Sequence, residues 1–369
     1  MRIFRVFGVV ACFSGLFVMG GCEFPYSPPA DAPDKQGENN TEDSSIARLR
    51  KVNTDIQICN PSITQDDRDY PGCMLWLNFA GKLNVDPGRF EGEYTTGEDE
   101  VGQHDRLTIS DTSNTVRWYV MRPDSIQGDL QDPEWAAHPD YIATMGQPVP
   151  QSDSYDAYAV SIPNKTFFKL NDDKLISTST PHLWLPNTVT GGGTAVPTSP
   201  TYDDDGMVDK QSVQSYFGTD SVKVLFSRDK SGLTVSFIDY SQDSPVLTDL
   251  PKPAGREGSG WSCESALFSP DGNWVVYNCL NWGTEENEMY VQRVDADAPP
   301  ILIDAAGGDP HWWRSPTGSV YVVYYKPSIA GGLMRATFET DVNDDGSLGS
   351  TYKRRSDLPD ASVGDVPAH

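Results

Sequence analysis

The chain has 369 residues, and its 53 Asp and Glu outweigh 28 Lys and Arg to give a net charge of −25. So acidic a surface argues against nucleic acid, whose phosphates need Lys and Arg partners, and against flat adhesion to anionic lipid. It suits solubility in a salty medium, and the length fits one large β domain or two smaller ones.

Arg2 and Arg5 precede an uncharged apolar stretch from about Val6 to Met19. It is too short and too one-sided for a transmembrane helix, which needs about 20 apolar residues, and it fits the apolar region of a secretory signal. The stretch ends in Val18-Met19-Gly20-Gly21-Cys22, small residues just before a cysteine. That ending resembles the bacterial lipobox, whose cysteine is lipidated and becomes the new N-terminus; Met19 stands where Leu is commoner. The resemblance implies a signal peptide over 1–21, a lipid anchor with palmitate-type chains on Cys22, and membrane contact through that anchor. The alternative is an ordinary secretory signal with an incidental Cys22. Glu23, where a retained lipoprotein would carry Asp, implies an outer-membrane lipoprotein facing the periplasm or the cell surface.

Loss of residues 1–21 removes Arg2 and Arg5 and no acid, so 26 basic residues face 53 acidic ones and the mature charge is −27. Export also changes how the cysteines read. Cys12 leaves with the signal and Cys22 is lipidated, so Cys59, Cys73, Cys263 and Cys279 remain, an even number in an oxidising compartment. No CxxC pair or His–Cys cluster suggests zinc, and no cofactor or metal is expected. Residues 22–47, with Pro25, Pro28, Pro29 and Pro33 followed by acids, Asn and Ser, have almost nothing to pack and form an extended, disordered tether. The tail over 358–369 has the same character.

Between these ends, short β-branched and aromatic runs alternate with turn clusters. Met74–Phe79 and Val116–Val120 are strand-like but carry no motif, so 48–105 is a first blade or a cap. Pro133–Ala143 and His182–Asn187 are worn copies of a unit that is clearest at Ala266–Tyr277, where Pro270-Asp271-Gly272 is strong turn chemistry between two strands. A second good copy is Trp312–Val323. Tyr155–Ile162, Val222–Phe226, Leu233–Tyr240 and Met289–Val294 supply further strands. The anchors Trp135, Trp184, Phe268 and Arg314 are 49, 84 and 46 residues apart, and the long middle gap is filled by a unit at Val222–Thr248. A hairpin turning about Asp271 sets Cys263 opposite Cys279, near the short end of disulfide geometry. Elimination then leaves Cys59 with Cys73.

A four-stranded unit repeating every forty to fifty residues predicts an all-β fold, a β-propeller over 106–357; a β-sandwich with chance turns is the alternative. The Phe268-Ser269-Pro270-Asp271-Gly272 hairpin resembles the TolB-like propeller repeat, specifically at 266–277, well at 312–323 and partially elsewhere. That resemblance implies about six four-stranded blades around a central tunnel lined by the innermost strands. It also implies that residues just before each opening aromatic lie on those strands: Glu134, His182, Glu264 in the Phe268 blade, and His311. Pro181-His182 and Pro310-His311 match each other. These four side chains are expected to crowd the tunnel or its mouth as a polar ligand site, or simply to hydrate it.

Catalytic signatures are scarce. There is no G-x-S-x-G elbow, and no residues remain for the α/β domain of a peptidase. Asp341–Gly346 resembles half of a calcium loop, but Tyr352 cannot supply the closing carboxylate, and an acidic hairpin tip is the simpler reading. Thr201–Gly206 is an exposed loop. The expected function is a non-enzymatic, monomeric binding or scaffolding module for an envelope protein or glycan. The alternative is a secreted glycan-active hydrolase with acids at the tunnel mouth, marked by three or more acids converging in one pocket.

Replacing Cys22 by Ala should abolish lipid attachment and leave the protein soluble or unprocessed. Mass spectrometry of the wild-type N-terminus checks this; a mature chain that starts anywhere but residue 22 rejects it.

Overall fold

A computed structural model describes residues 58–65, 70, 73–78, 104–111, 116–150, 154–172, 178–189, 192–193, 200–229, 233–258, 260–294, 298–314, 320–325, 333–336, 338–342 and 348–354. The expected signal, tether and tail lie outside these residues, as do the Ser315–Ser319 turn and most of the Asp341–Gly346 loop.

The described strands form antiparallel sheets in chain order. Blade 1 holds β1 (Ile58–Ile63), β2 (Cys73–Asn78), β3 (Arg106–Asp111) and β4 (Val116–Met121). Blade 2 holds β5 (Leu130–Trp135), β6 (Tyr141–Gly146), β7 (Asp156–Ser161) and β8 (Thr166–Lys169). Blade 3 runs from β9 (Thr178–Trp184), past helix α1 (Lys210–Phe217), to β10 (Lys223–Asp229), β11 (Leu233–Asp239) and β12 (Thr248–Asp249). Blade 4 holds β13 (Trp261–Phe268), β14 (Trp274–Asn281), β15 (Asn287–Arg293) and β16 (Ile301–Asp304). Blade 5 holds β17 (Gly308–Arg314), β18 (Val320–Tyr325) and β19 (Leu333–Ala336), and a hairpin of β20 (Phe338–Val342) and β21 (Leu348–Arg354) follows.

The first strand of each blade lies against the first strand of the next, and β17 returns to β1. The backbone N–H of Arg314 donates to the carbonyl of Gln65 at 2.8 Å across that closing seam, and Trp313 packs with Ile63. The architecture is an all-β propeller. Among the described residues the ring is made of four four-stranded sheets and one three-stranded sheet, and no sixth blade is found among them. The reason lies in blade 3. His182–Asn187 and Val222–Thr248 are not two units but parts of one sheet, separated by an insertion that carries α1. Asp209 caps this helix by accepting from the N–H of Ser212, and Gly218 ends it at φ 75°. Tyr216 stacks on Phe168 of blade 2 at 4.4 Å. The boundary expected at 105/106 likewise falls inside one sheet, between β2 and β3.

Middle strands are buried on both faces because each blade is sandwiched between two others. All six residues of β6 and of β7 are buried, which requires small residues such as Ala143, Ala157 and Ala159. One apolar cluster fills each seam: Leu75, Trp135 and Tyr158 between blades 1 and 2, Phe168, Val224 and Phe217 between 2 and 3, Leu225, Phe268 and Tyr277 between 3 and 4, and Val276, Trp312 and Val322 between 4 and 5. Hydrophobic burial, at roughly 25 cal/mol per Å², therefore acts seam by seam. Among the described residues no helix is long and apolar enough to cross a membrane.

The 269–274 turn has the expected chemistry. Ser269 Oγ donates to Asp271 Oδ1 at 2.5 Å and accepts from the N–H of Trp274 at 3.0 Å. Gly272 has φ 71°, and a Cβ there would meet the Trp184 ring at 2.5 Å. Trp184 in turn donates to the Pro270 carbonyl at 3.0 Å. The same turn chemistry thus locks blade 3 to blade 4.

Cys263 and Cys279 are paired in the ladder and joined by a disulfide, with Cα atoms 4.0 Å apart. The expected pairing holds, but the hairpin alone does not produce it. Next to the turn, Phe268 faces Val275 and Leu267 faces Val276, a register that, continued, sets Cys263 opposite Leu280. A bulge between Glu264 and Leu267, with Ser265 at φ 52°, shifts the ladder by one residue and brings the cysteines together. The pairing of Cys59 with Cys73 has no such register. Cys59 faces Leu77 and Ile63 faces Met74, so the two cysteines are not cross-strand neighbours; the side chain of Cys59 lies outside the described residues.

The bulge recurs at the start of the inner strands. Asp132, Thr180 and Asp309 have φ of 43°, 45° and 50°, each beside a register shift, and β1 shifts between Cys59 and Ser62. Proline follows in four of these places, at Pro61, Pro133, Pro181 and Pro310. A residue without an N–H costs least where the ladder is interrupted. Just past its bulge, His182 is fully buried and joins three blades: its Nδ1 accepts from the N–H of Phe268 at 3.1 Å, and its Nε2 lies 3.0 Å from the Trp135 carbonyl. Those two contacts assign the proton to Nε2. Gln65, beyond β1, brings its amide nitrogen 3.2 Å from the same Nε2 and donates to the Phe268 carbonyl at 2.8 Å.

Two outcomes follow for stability. Removing the Cys263–Cys279 link should lower unfolding free energy in denaturant by about 2–4 kcal/mol, and peptide mapping of the wild type should find that link. Burial pushes His182 down to about 4, so below its unfolded value of 6.5 the unfolded chain takes up a proton that the native state refuses. Stability should fall between pH 6.5 and about 4, by up to about 3 kcal/mol from this group. His182→Ala, which strands the Phe268 N–H and the Trp135 carbonyl, should cost about 2–4 kcal/mol and flatten that part of the pH profile; an unchanged profile rejects the assignment.

Candidate axial site

The residue two positions past each bulge is Ser62, Glu134, His182, Leu267 and His311 in blades 1 to 5; Leu267 packs in the apolar seam between blades 4 and 5, and the four polar residues reach across to other blades. Ser62 Oγ accepts from the N–H of Trp135 at 3.0 Å, which ties blade 1 to blade 2 much as His182 ties blade 3 to blade 4. Glu134 and His311 meet each other, while His311 Nδ1 also lies 3.3 Å from the Asp309 carbonyl. His311 Nε2 lies 3.3 Å from Glu134 Oε2, with both side chains largely buried. The pair spans blades 5 and 2, across the strand of blade 1 that lies between them.

Carboxylates gather at the beginnings of the same strands. Burial pushes Glu264 up to about 8, and the charges of Asp132 and Asp309 push in the same direction. Burial also pushes Asp309 up to about 6, with Glu134 adding to the rise and His311 opposing it. Asp309 is nonetheless exposed by its accessible surface, so its neighbours surround it without covering it. Burial acts to lower His311, but the carboxylates of Glu134 and Asp309 outweigh it and hold the imidazole above its ordinary value. The cationic form of His311 is thus a positive counterpart to the carboxylates around it.

The four expected site residues do not share one role. Glu134 and His311 converge as a pair. His182 lies next to them and feels their charges, but its ring nitrogens are committed to Phe268 and Trp135, so it is a strut and not a free ligand. Glu264 is not equivalent to the other three: it precedes the blade 4 bulge, and the matching position holds apolar Leu267. Sequence reading missed Asp132, Asp309 and Gln65. The first two were findable from the repeated pattern Asp132-Pro133-Glu134 and Asp309-Pro310-His311, with Thr180-Pro181-His182 and Asn60-Pro61-Ser62 as its relatives. Gln65 sits in no repeated pattern.

Chemically, the group can accept hydrogen bonds from hydroxyls or amines and can hold protons near neutrality. Among the described residues no three His, Cys, Asp or Glu side chains are placed to hold a metal by themselves.

No family model matches the sequence, and no curated protein matches it. Among solved structures, the chain is similar to an endo-arabinase from Bacteroides thetaiotaomicron, at 10% identity over 81% of this chain and 96% of that one, with a TM-score of 0.39. It is similar to the β-propeller domain of Cps50 (Swd1) from Myceliophteria thermophila, at 8% identity over 79% and 86%, with a TM-score of 0.36. It is also similar to a protein of unknown function from Dyadobacter fermentans, at 12% identity over 84% of each chain, with a TM-score of 0.42. At these identities a likeness reaches no further than the fold, which the strands of this chain themselves show to be a β-propeller.

Proposed function

We propose that the protein is a cell-envelope lipoprotein, tethered through Cys22, whose propeller binds an envelope glycan at the acidic mouth of its ring. The observation that carries this reading is the convergence of Glu134, His311 and Asp309, with Asp132 and Glu264 close by, from blades 2, 4 and 5. Carboxylates and an imidazole on rigid strands offer fixed acceptors and one donor to a hydroxyl-rich ligand, and rigid strands position such groups better than loops do. The TolB-like character of the 266–277 hairpin belongs to the same proposal.

A second reading, glycan hydrolysis, is favoured by Glu264. A carboxyl pushed up to about 8 carries its proton at neutral pH while its neighbours ionise, the asymmetry that glycoside hydrolysis uses to pair a proton donor with a base or nucleophile.

Calorimetric titration of the mature chain with soluble envelope glycan fragments tests the first reading. Glu134→Gln with His311→Ala should weaken binding tenfold or more. Unchanged affinity would move recognition to the outer loops, and retention of an envelope protein without glycan binding would make the partner a protein. Release of reducing ends that disappears in Glu264→Gln would establish the second reading.

A further inference from the structure

The seam between blades 4 and 5 holds polar oxygens that no group among the described residues satisfies. Glu264 and Asn278 are directly paired across β13 and β14, so their side chains share a face, with Cβ atoms about 5 Å apart. That face looks toward blade 5, because Val276, two residues from Asn278, packs with Trp312 and Val322. Asn278 is 3% exposed, yet its Oδ1 has no hydrogen-bond partner. Asn287, diagonal to Asn278 across β14 and β15, also carries a buried Oδ1 without a partner. Its amide nitrogen would lie 2.4 Å from a Cβ at Gly308, which seats it against the residue before Asp309. Glu264 feels the charges of Asp309 and Asp132, and among the described residues no hydrogen bond holds its carboxyl.

Unsatisfied buried acceptors without facing donors are costly, about 1–3 kcal/mol each, and together they call for a positive charge. We propose that this seam binds a divalent cation of the calcium class, held by the carboxylates of Glu264 and Asp309 and the amide oxygen of Asn278, with water completing the shell. The donors are all oxygen, a mix of carboxylate and amide at a loosely spaced seam. That set suits calcium, which accepts six to eight oxygens in flexible geometry, better than magnesium, which demands a near-ideal octahedron. Two carboxylates plus an amide are consistent with the absence of a cluster of three acidic or imidazole ligands. The cation would share Glu264 and Asp309 with the proposed ring-mouth site but requires no glycan there, and it excludes the hydrolytic reading, because a carboxylate bound to calcium has no proton to donate.

The test uses the mature chain, stripped with chelator and titrated with calcium chloride at neutral pH and physiological salt, which screens diffuse binding to the acidic surface. One calcium per chain and a raised Tm are expected. Glu264→Gln and Asn278→Ala should each weaken binding tenfold or more. Glu264→Gln replaces a carboxyl that is held protonated in the stripped protein by a neutral group of the same shape, so this variant should fold with about the stability of the stripped wild type. Asp341→Ala with Asp344→Ala, in the acidic hairpin, should leave the titration unchanged. No calcium binding would overturn the proposal and leave a protonated Glu264 donating to Asn278. Binding that survives both seam variants, or that is lost with the hairpin variant, would overturn it equally.

Discussion

The ring depends on a neutral imidazole held between three of its blades. His182 accepts a backbone N–H from blade 4 and faces a backbone carbonyl of blade 2 from its own place in blade 3, while Gln65 brings blade 1 to the same point. Only one tautomer serves both backbone contacts, and only without a second proton. Burial enforces that condition by pushing the imidazole far below its ordinary value. The bulges make this possible. A left-handed residue in the middle of a strand costs about 1–2 kcal/mol when it is not glycine, and four inner strands accept it because the bulge re-aims the next side chains from the ladder to the axis. The strain is offset by hydrogen bonds between blades and by one apolar cluster at each seam.

The same device concentrates charge. Strand starts that converge on an axis bring Asp132, Glu264 and Asp309 together although they are more than forty residues apart in the chain, in a protein whose surface is already strongly acidic. In bulk water these groups would barely notice one another. Within the ring, low dielectric and proximity raise Glu264 and Asp309, and His311 is raised in compensation. An acidic mouth kept from full ionisation is primed for a hydroxyl-rich ligand, a proton or a cation, and which of these it holds depends on small differences in desolvation. A seam with orphaned Asn oxygens tips blade 4 toward the cation, whereas in the Glu134–His311 pair the carboxylate already has an imidazole beside it and suits a neutral ligand better.

Much of this was open to reading. Alternating strands, the Ser269–Gly272 turn and the forty-odd residue spacing announced a propeller, because turn chemistry and period are local properties. The disulfide was anticipated from the hairpin, yet its register rests on a bulge at Ser265 that no local rule predicted. Chain spacing stops reporting blade spacing in blade 3: the insertion with α1 has the length of an extra unit, and only the pairing of β9 with β10 shows that it is none. Glu134 and His311 were brought together as expected, whereas His182 proved to be structural, since a backbone donor in a neighbouring blade cannot be foreseen from residue type.

What the sequence by itself determined is the character of the elements: a strongly acidic chain, strands in place of helices, and a turn whose Gly272 must take positive φ. These follow from composition, period and local conformational preference, which act over a few residues. Tertiary structure alone decided how many blades close the ring, which residues of each inner strand meet at the axis, and which carboxyls share a field there. Those outcomes depend on distances between segments far apart in the chain. They are set by bulges, seam packing and desolvation, quantities that exist only once the ring has formed.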